Sequence, residues 1–441
     1  MRARGVAPTA RRHSAHSVDL GTLVEHEGED GASRRHRPRR RHSHRSKEGK
    51  SSKKAAHQQG SSRRSRSSGS RSRSNSRSSR SSSSSSSKKD DSVGTFRGRR
   101  GDLIESRYEI VRTLGEGTFG RVCECVDLRA PPTSSGSNSS NRGSSSSAPD
   151  SINLVAVKVV RAVPRYVQEA RIEAEMLEEV LKKYYKLAGD AEGLRIVQLL
   201  DSFSWNKHYC LVFEPLGMSL YDLQQLTKRR PFSLDNIRTV ARDIFQALEF
   251  LHEQCSIVHT DLKVENVLFQ ERSAAPQESA SYRVKLIDFG GATVIKADKK
   301  PPTSVINTRQ YRSPEVTLRI GWGFPSDIWS AGCILMELLL GDLLFATHDE
   351  DEHLALIARV AQEIPPHMRA KAHADAFKNE HRAQRSRFVQ NQKSLEQLCH
   401  SRGRDARIKE FHRLMLQCLL VDPALCIDAR SALEMPFLAT A

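Results

Sequence analysis

The sequence predicts an α+β protein of two lobes, a small sheet-rich lobe followed by a larger helical one. Three observations predict it. Apolar residues come in short, strand-like runs up to Phe213, with one helical stretch among them. Beyond Phe213 they recur mainly at helical spacing. The first 100 residues are Arg, Ser, His and Gly with too few aliphatics to join either lobe.

Of the 441 residues, 37% are hydrophobic, enough for a substantial core. Residues 1–100 hold 27 Lys and Arg against 8 Asp and Glu, so the net charge of +18 belongs to this arm. Such a segment cannot offset its ordering entropy by burial, and disorder is expected up to residue 104. Ser65, Ser67, Ser72, Ser74, Ser78 and Ser81 each follow an arginine, and serines run on to Ser87. This is an arginine/serine low-complexity arm. It binds RNA, DNA or acidic proteins by counterion release, or else is solvated without one partner.

Order is expected from Tyr108. Tyr108–Val111 reads as a strand entering a glycine-rich turn, and Arg121–Asp127 as the returning strand. Residues 130–152, rich in Ser, Gly, Asn and Pro, read as a flexible insertion. Leu154–Val160 is a short apolar strand, and Pro164 suits the first position of a helix that carries Glu169, Glu173, Leu177, Leu181 and Tyr184 at helical spacing. Leu199–Ser204 and Tyr209–Phe213 read as two further strands. Ile237, Val240, Ile244, Leu248 and Leu251 form one helical stripe, with Ser233 as its N-cap. The apolar run from Ile328 to Leu340 contains Ser330 and Glu337 and is too short to span a bilayer, so it reads as a buried helix. No Cys-x2-Cys pair occurs among the eight cysteines and the Arg-rich start is no signal peptide, which suggests reduced thiols in the nucleus or cytoplasm.

Four constellations carry chemistry. Gly115-Glu116-Gly117-Thr118-Phe119-Gly120-Arg121-Val122 has the glycine spacing that lets backbone amides approach phosphate oxygens. A bare hairpin turn or a dinucleotide fold would also explain it, although a strand rather than a helix follows. Lys158, in a strand of valines, either snorkels or is paired. Glu173 falls in the apolar stripe of the next helix and needs a partner, and Lys158 is the natural one. His259-Thr260-Asp261-Leu262-Lys263-Val264-Glu265-Asn266 offers a carboxylate that can take a proton, an ammonium that can neutralise a phosphoryl group, and an amide oxygen for Mg²⁺. Asp288-Phe289-Gly290 places a carboxylate at the end of the strand-like Val284–Ile287. Each has a bland alternative; their order and separations together are specific.

From Tyr108 to Leu438 the chain resembles a eukaryotic protein kinase. Thr308-Arg309-Gln310-Tyr311-Arg312-Ser313-Pro314-Glu315 resembles the CMGC group. The HTDLK loop, Val212–Ser219, and Phe345–Val360 resemble the CLK/LAMMER kinases, although Leu354–Arg359 replaces the name motif, as in a divergent member. The resemblance implies a bilobal fold with an N-lobe at 108–215, a C-lobe at 216–438 and a LAMMER-type insertion at about 346–408. It implies ATP and Mg²⁺, with Phe213 as gatekeeper and Glu214 and Leu216 offering hinge backbone groups to adenine. Leu114, Val122, Ala156 and Leu268 would sandwich the ring, and Lys158 would meet the α- and β-phosphates. Asp261 would be the base, Lys263 the phosphoryl clamp, and Asn266 and Asp288 the metal ligands.

The chain departs from the kinase pattern at three positions. Thr260 stands where most kinases carry an arginine that receives an activation-loop phosphate, so activity without that switch is expected. Cys426 stands where an arginine normally pairs with the Glu315 equivalent, with Arg430 as one candidate replacement. Ser313 replaces a small apolar residue.

The family implies arginine/serine-rich splicing factors as substrates, a nuclear location with possible cytoplasmic shuttling, no membrane and a monomeric kinase domain. Selecting arginine-flanked serines needs an acidic surface, for which Asp349-Glu350-Asp351-Glu352 is one candidate, a solvated turn being the other reading. The arm is itself such a substrate. Serine and threonine are the expected acceptors, with dual specificity open. The alternatives are mitotic kinetochore substrates, a pseudokinase scaffold, and a nucleic-acid-binding module in which the arm is the main function.

Overall fold

The computed structural model describes residues 94–129, 153–191, 193–272 and 282–439. The expectations for the arm as far as residue 93 and for the insertion at 130–152 lie outside the described residues.

The N-lobe is a six-stranded antiparallel sheet in the order β1-β2-β3-β4-β6-β5. Its strands are β1 (Leu103–Ile104), β2 (Tyr108–Gly117), β3 (Gly120–Asp127), β4 (Leu154–Val160), β5 (Leu199–Trp205) and β6 (His208–Phe213). Alternation gives each face its own character. Cys123, Cys125, Val155, Val157, Val159, Cys210 and Val212 pack together on the outer face. Val160 and Leu211 belong instead to the large core shared with the helices. Helix α1 (Pro164–Ala188) starts with Pro164 in its first turn and stops at Gly189, whose φ of 84° and N–H bond to Tyr185 O make a left-handed cap. It buries Ala170, Ala174, Leu177 and Val180, and in the same stripe Glu173.

The C-lobe is mainly helical, beginning with α2 (Leu220–Leu226) and α3 (Leu234–Glu249). The Ser233 side chain accepts the Asn236 N–H as an N-cap. The stripe on α3 continues into a π-helical turn, Phe250–Cys255, so Leu251 stays buried although the α-helix has ended. Strand pairs β7 (Ile257–Val258) with β10 (Thr293–Val294), and β8 (Val267–Phe269) with β9 (Val284–Leu286), bracket the predicted chemistry. Residues 259–266 form the loop between β7 and β8, and Asp288 lies two residues beyond β9. After α4 (Pro314–Leu318) comes α5 (Pro325–Leu340), buried on nearly every side, with Trp329 stacked 5.8 Å from Phe345. Helix α6 (Glu350–Val360), a helix at Ala406–Cys418 and several shorter ones complete the lobe. Among the described residues, no helix is long and apolar enough to cross a membrane.

Packing begins earlier than the sequence led us to expect. Residues 94–104, assigned above to the disordered arm, lie against the N-lobe. Phe96 meets Trp205 and His208 edge-on at 5.6 and 5.9 Å, and Gly94 O accepts the Ala162 N–H at 2.9 Å. Gly98 is required, because a Cβ there would stand 2.2 Å from the Phe96 ring. The N-lobe therefore includes this strap. A chain starting at Gly94 should melt within a degree or so of the full chain. One starting at Glu105, which lacks Phe96 and the buried Ile104, should melt about 5 °C lower or more, as read by calorimetry.

Candidate active site

Period-two alternation decides which side chains of the sheet reach the cleft. Val122 pairs with Lys158, and Glu124 with Ala156, which pairs in turn with Phe213, so these five share the inner face. Glu173 meets them from α1. Lys158 Nζ lies 2.9 Å from both Glu173 oxygens and 3.3 Å from Asp288 Oδ1. Burial by itself would drive the ammonium down, but Glu173 and then Asp288 outweigh it and hold Lys158 up at about 12. Burial also opposes ionisation of Asp288, yet Lys158, with His259 and Lys263 behind it, holds that carboxyl below the usual carboxylate range.

Asp288 sits at φ 65°, a left-handed conformation that costs a non-glycine residue about 1–3 kcal/mol and persists only where its surroundings hold it. Phe289, buried, packs its ring 4.9 Å from His259. The His259 and Thr260 N–H groups donate to the buried Asp327 carboxylate at 2.7 and 3.1 Å. Thr260, also left-handed at φ 71°, donates its hydroxyl to Gly291 O at 2.8 Å. Lys263 Nζ lies 2.6 Å from Asp261 Oδ2, and Thr308 donates to Asp261 Oδ1 from its N–H at 3.1 Å and its hydroxyl at 2.9 Å. Sequence reasoning singled out neither Thr308 nor Asp327 for such roles; the only signals were the TRxYR stretch and an aspartate opening an apolar run.

Asn266 Nδ2 donates to Asp261 O at 2.9 Å, which leaves the amide oxygen as the group it can offer a cation. Among the described residues no group of three or more His, Cys, Asp or Glu could cage a metal. The two oxygen donors Asn266 and Asp288 instead fit Mg²⁺ shared with phosphates and water.

In the glycine-rich turn, Gly117 pairs with Gly120 around Thr118-Phe119. Gly120 is demanded by packing, because a Cβ there would stand 2.3 Å from Val159 O. At Gly115 and Gly117 a Cβ would meet nothing within 4 Å, so their bareness serves no contact within the protein and suits an approaching phosphate. Arg121 differs from expectation. Alternation sends it to the face opposite Val122, where its guanidinium donates to Gly98 O and Thr113 Oγ1, so it offers the cleft only main chain. Glu116, Leu114 and Phe119 are exposed, and Thr118 O accepts from Arg161. At the hinge, the Glu214 N–H is spent on Gln198 O and its carboxylate on Gln198 N and Lys285 Nζ, which leaves its carbonyl for a ligand. Phe213, Leu216, Ala156, Val122 and Leu268 are half-buried, as the apolar lining of an open cleft should be.

The family model for the protein kinase domain matches residues 142–438. This chain belongs to the protein kinase family. Its relatives put it among the CLK/LAMMER kinases of the CMGC group. Dual specificity protein kinase CLK1 of Homo sapiens is 36% identical over 79% of this chain and 69% of its own length. Serine/threonine-protein kinase AFC2 of Arabidopsis thaliana is 33% identical over 80% of this chain and 81% of its own. The crystal structure of the PF14_0431 kinase domain superposes with a TM-score of 0.60 at 31% identity, covering 78% of this chain and 99% of that one. Enzymes of this family transfer phosphoryl groups from ATP with Mg²⁺.

Two expectations for this kinase need correction. Arg430 does not replace the missing arginine, because it is turned outward onto Glu249 and Glu253. Glu315 is 2% exposed, and its Oε1 has no hydrogen-bond partner among the described residues. Burial pushes its carboxyl up to about 7, so the group takes up a proton near neutral pH where other kinases keep a cation. The acidic run opens α6 rather than forming a turn, and its carboxylates are engaged within the lobe. Asp349 caps α6, Glu350 faces Arg309 and His373, Asp351 accepts from Asn379, and Glu352 accepts from Thr347 and Ser386.

A carboxyl raised on folding contributes stability below its ordinary value of 4.5 and loses it as pH rises through about 7, on the order of 3 kcal/mol here. The melting temperature should therefore fall between pH 5 and 8. Glu315→Gln should remove part of that slope and leave the part due to Glu337, whose carboxyl burial also raises to about 7. An unchanged slope in the variant would count against the protonated Glu315.

Proposed function

We propose that this kinase phosphorylates arginine/serine-rich proteins of the nucleus, its own arm among them, with serine and threonine as main acceptors and tyrosine as a lesser one. The observation that carries the catalytic reading is the convergence of Lys158, Glu173 and Asp288 within hydrogen-bonding distance across the cleft, beside an Asp261 already oriented by Lys263 and Thr308.

In this reading the adenine lies between Leu114, Val122 and Ala156 above and Leu268 below, with Phe213 at the back and the Glu214 and Leu216 main chain at its edge. The turn from Gly115 to Gly120 covers the phosphates, and Lys158, fixed by Glu173, contacts the α and β groups. Asn266 and Asp288 hold Mg²⁺, which when bound neutralises charge on the phosphates. Asp261 accepts the proton of the substrate hydroxyl as the new O–P bond forms and the bond to the ADP oxygen breaks. Lys263 neutralises the equatorial oxygens in transit.

The arginine preference is supported by two acids beside the catalytic loop. Glu265 is exposed one residue before Asn266. Glu337 is buried under Tyr311, whose hydroxyl donates to it at 2.6 Å, with the Arg229 guanidinium at 3.7 Å. Of the two, the exposed Glu265 carboxylate is the one that can meet an arginine near the acceptor serine. Independence from loop phosphorylation is supported by Thr260, whose hydroxyl itself ties the loop to Gly291.

Asp261→Asn and Asp288→Asn should each lower phosphoryl transfer to an arginine/serine peptide by about 10²–10⁴-fold with melting nearly unchanged. Replacing the peptide arginines by alanine should lower kcat/KM, and Glu265→Gln should narrow that difference; equal use of both peptides would exclude the substrate reading. The unphosphorylated chain should be active without a lag, and silence until modification between Asp288 and Ser313 would contradict this. Intact-mass analysis with ATP and Mg²⁺ should show multiple phosphates on the arm, about ten of which would cancel its charge.

A further inference from the structure

Glu124 on β3 lies two residues from Val122 and pairs in register with Ala156, so its carboxylate is on the face that roofs the cleft. It is nearly buried, yet it serves two arginines. Arg112, its register partner on β2, donates from Nε at 2.7 Å and stays within the N-lobe. Arg272 donates to Oε1 from the other lobe. Arg272 follows β8 by three residues, and β8 carries Leu268, the proposed floor of the adenine pocket. The same stretch is pressed against the hinge, since a side chain at Gly217 would strike Glu271 O at 2.1 Å. The contact between Lys158 and Asp288 joins the lobes at the phosphate end. The contact between Glu124 and Arg272 joins them at the adenine end.

We propose that Arg272 and Glu124 form a latch that holds the lobes together over bound nucleotide and sets the rate at which ADP leaves. The proposal rests on the reading of this cleft as the nucleotide site. A ring held between Ala156 and Leu268 leaves when roof and floor part, and this ion pair resists that parting next to both residues. Opening is reversible because Arg112 keeps the nearly buried Glu124 compensated when Arg272 lets go, so no unpaired charge is left behind. Arg272 is about one-third exposed, which makes the latch sensitive to salt. Arg272 is thus a positioning residue for a step, product release, that sets the turnover of many kinases and other enzymes with closing clefts.

Arg112 supplies the control, because it neutralises the same carboxylate without crossing between lobes. Stopped-flow release of a fluorescent N-methylanthraniloyl-ADP in Mg²⁺ from the full chain reads the step directly. Arg272→Gln should release it about 3–10-fold faster, and Arg112→Gln should stay within about twofold of wild type. Raising NaCl from 50 to 500 mM should speed release from wild type and leave Arg272→Gln nearly unmoved; this arm holds even if a second substitution, Glu124→Gln, proves unstable. Equal rates for wild type and Arg272→Gln, equal acceleration by Arg112→Gln, or the same salt response in both proteins would overturn the latch. A wild-type chain that does not bind the fluorescent ADP would overturn the nucleotide reading itself, and the latch with it.

Discussion

Asp327 opens α5 with no solvent exposure, and a carboxylate so placed must be satisfied wholly by donors the protein supplies. The His259 and Thr260 N–H groups come from the catalytic loop, and His252 Nε2 lies 3.0 Å away at the end of the α3 stripe. The loop can therefore sit only where α5 holds it. Thr260 adopts a left-handed conformation costly for a β-branched residue, and it does so because its N–H and its hydroxyl are both committed. Asn266 then ties back to Asp261 O, and Thr308 reaches the Asp261 carboxylate from the far side. A spacing of five residues in the sequence becomes one fixed geometry of Asp261, Lys263 and Asn266.

Three buried carboxylates of this domain meet the same desolvation penalty in three ways. Asp327 is satisfied by backbone N–H donors and a histidine nitrogen. Glu173 is satisfied by the Lys158 ammonium of its own lobe, which also reaches Asp288 in the other lobe. Glu315 faces no cation, and burial raises its carboxyl to about 7, so it takes up a proton near neutral pH. That third solution explains how a kinase tolerates Cys426 where a cation normally stands, and it ties the stability of the segment after Thr308 to pH.

Much of the fold was legible because its signals are local. The strands at 154–160 and 208–213, the helix entered at Pro164 and the stripe capped by Ser233 all follow from periodicity and caps. The pairing of Lys158 with Glu173 was legible too, because an acid in an apolar stripe demands a cation and only one lysine lay in a facing strand. The strap at 94–104 was not legible. Its anchor, Phe96, finds Trp205 and His208 more than 100 residues away, and nothing near Phe96 marks it as part of a core. The acidic run read as free of partners because those it has, Asn379 and Ser386 among them, lie about 30 residues further along the chain.

The sequence by itself determined most of the elements, the kinase family and the candidate catalytic set, since periodicity, turn chemistry and functional groups are properties of neighbouring residues. Only the tertiary structure decided which partner each charge takes: Arg430 with Glu249 rather than Glu315, Thr308 with Asp261, Arg272 with Glu124 across the cleft. A charge pairs with whatever the fold brings within a few ångströms, and most of those groups lie tens to hundreds of residues away along the chain, where no local pattern points to them.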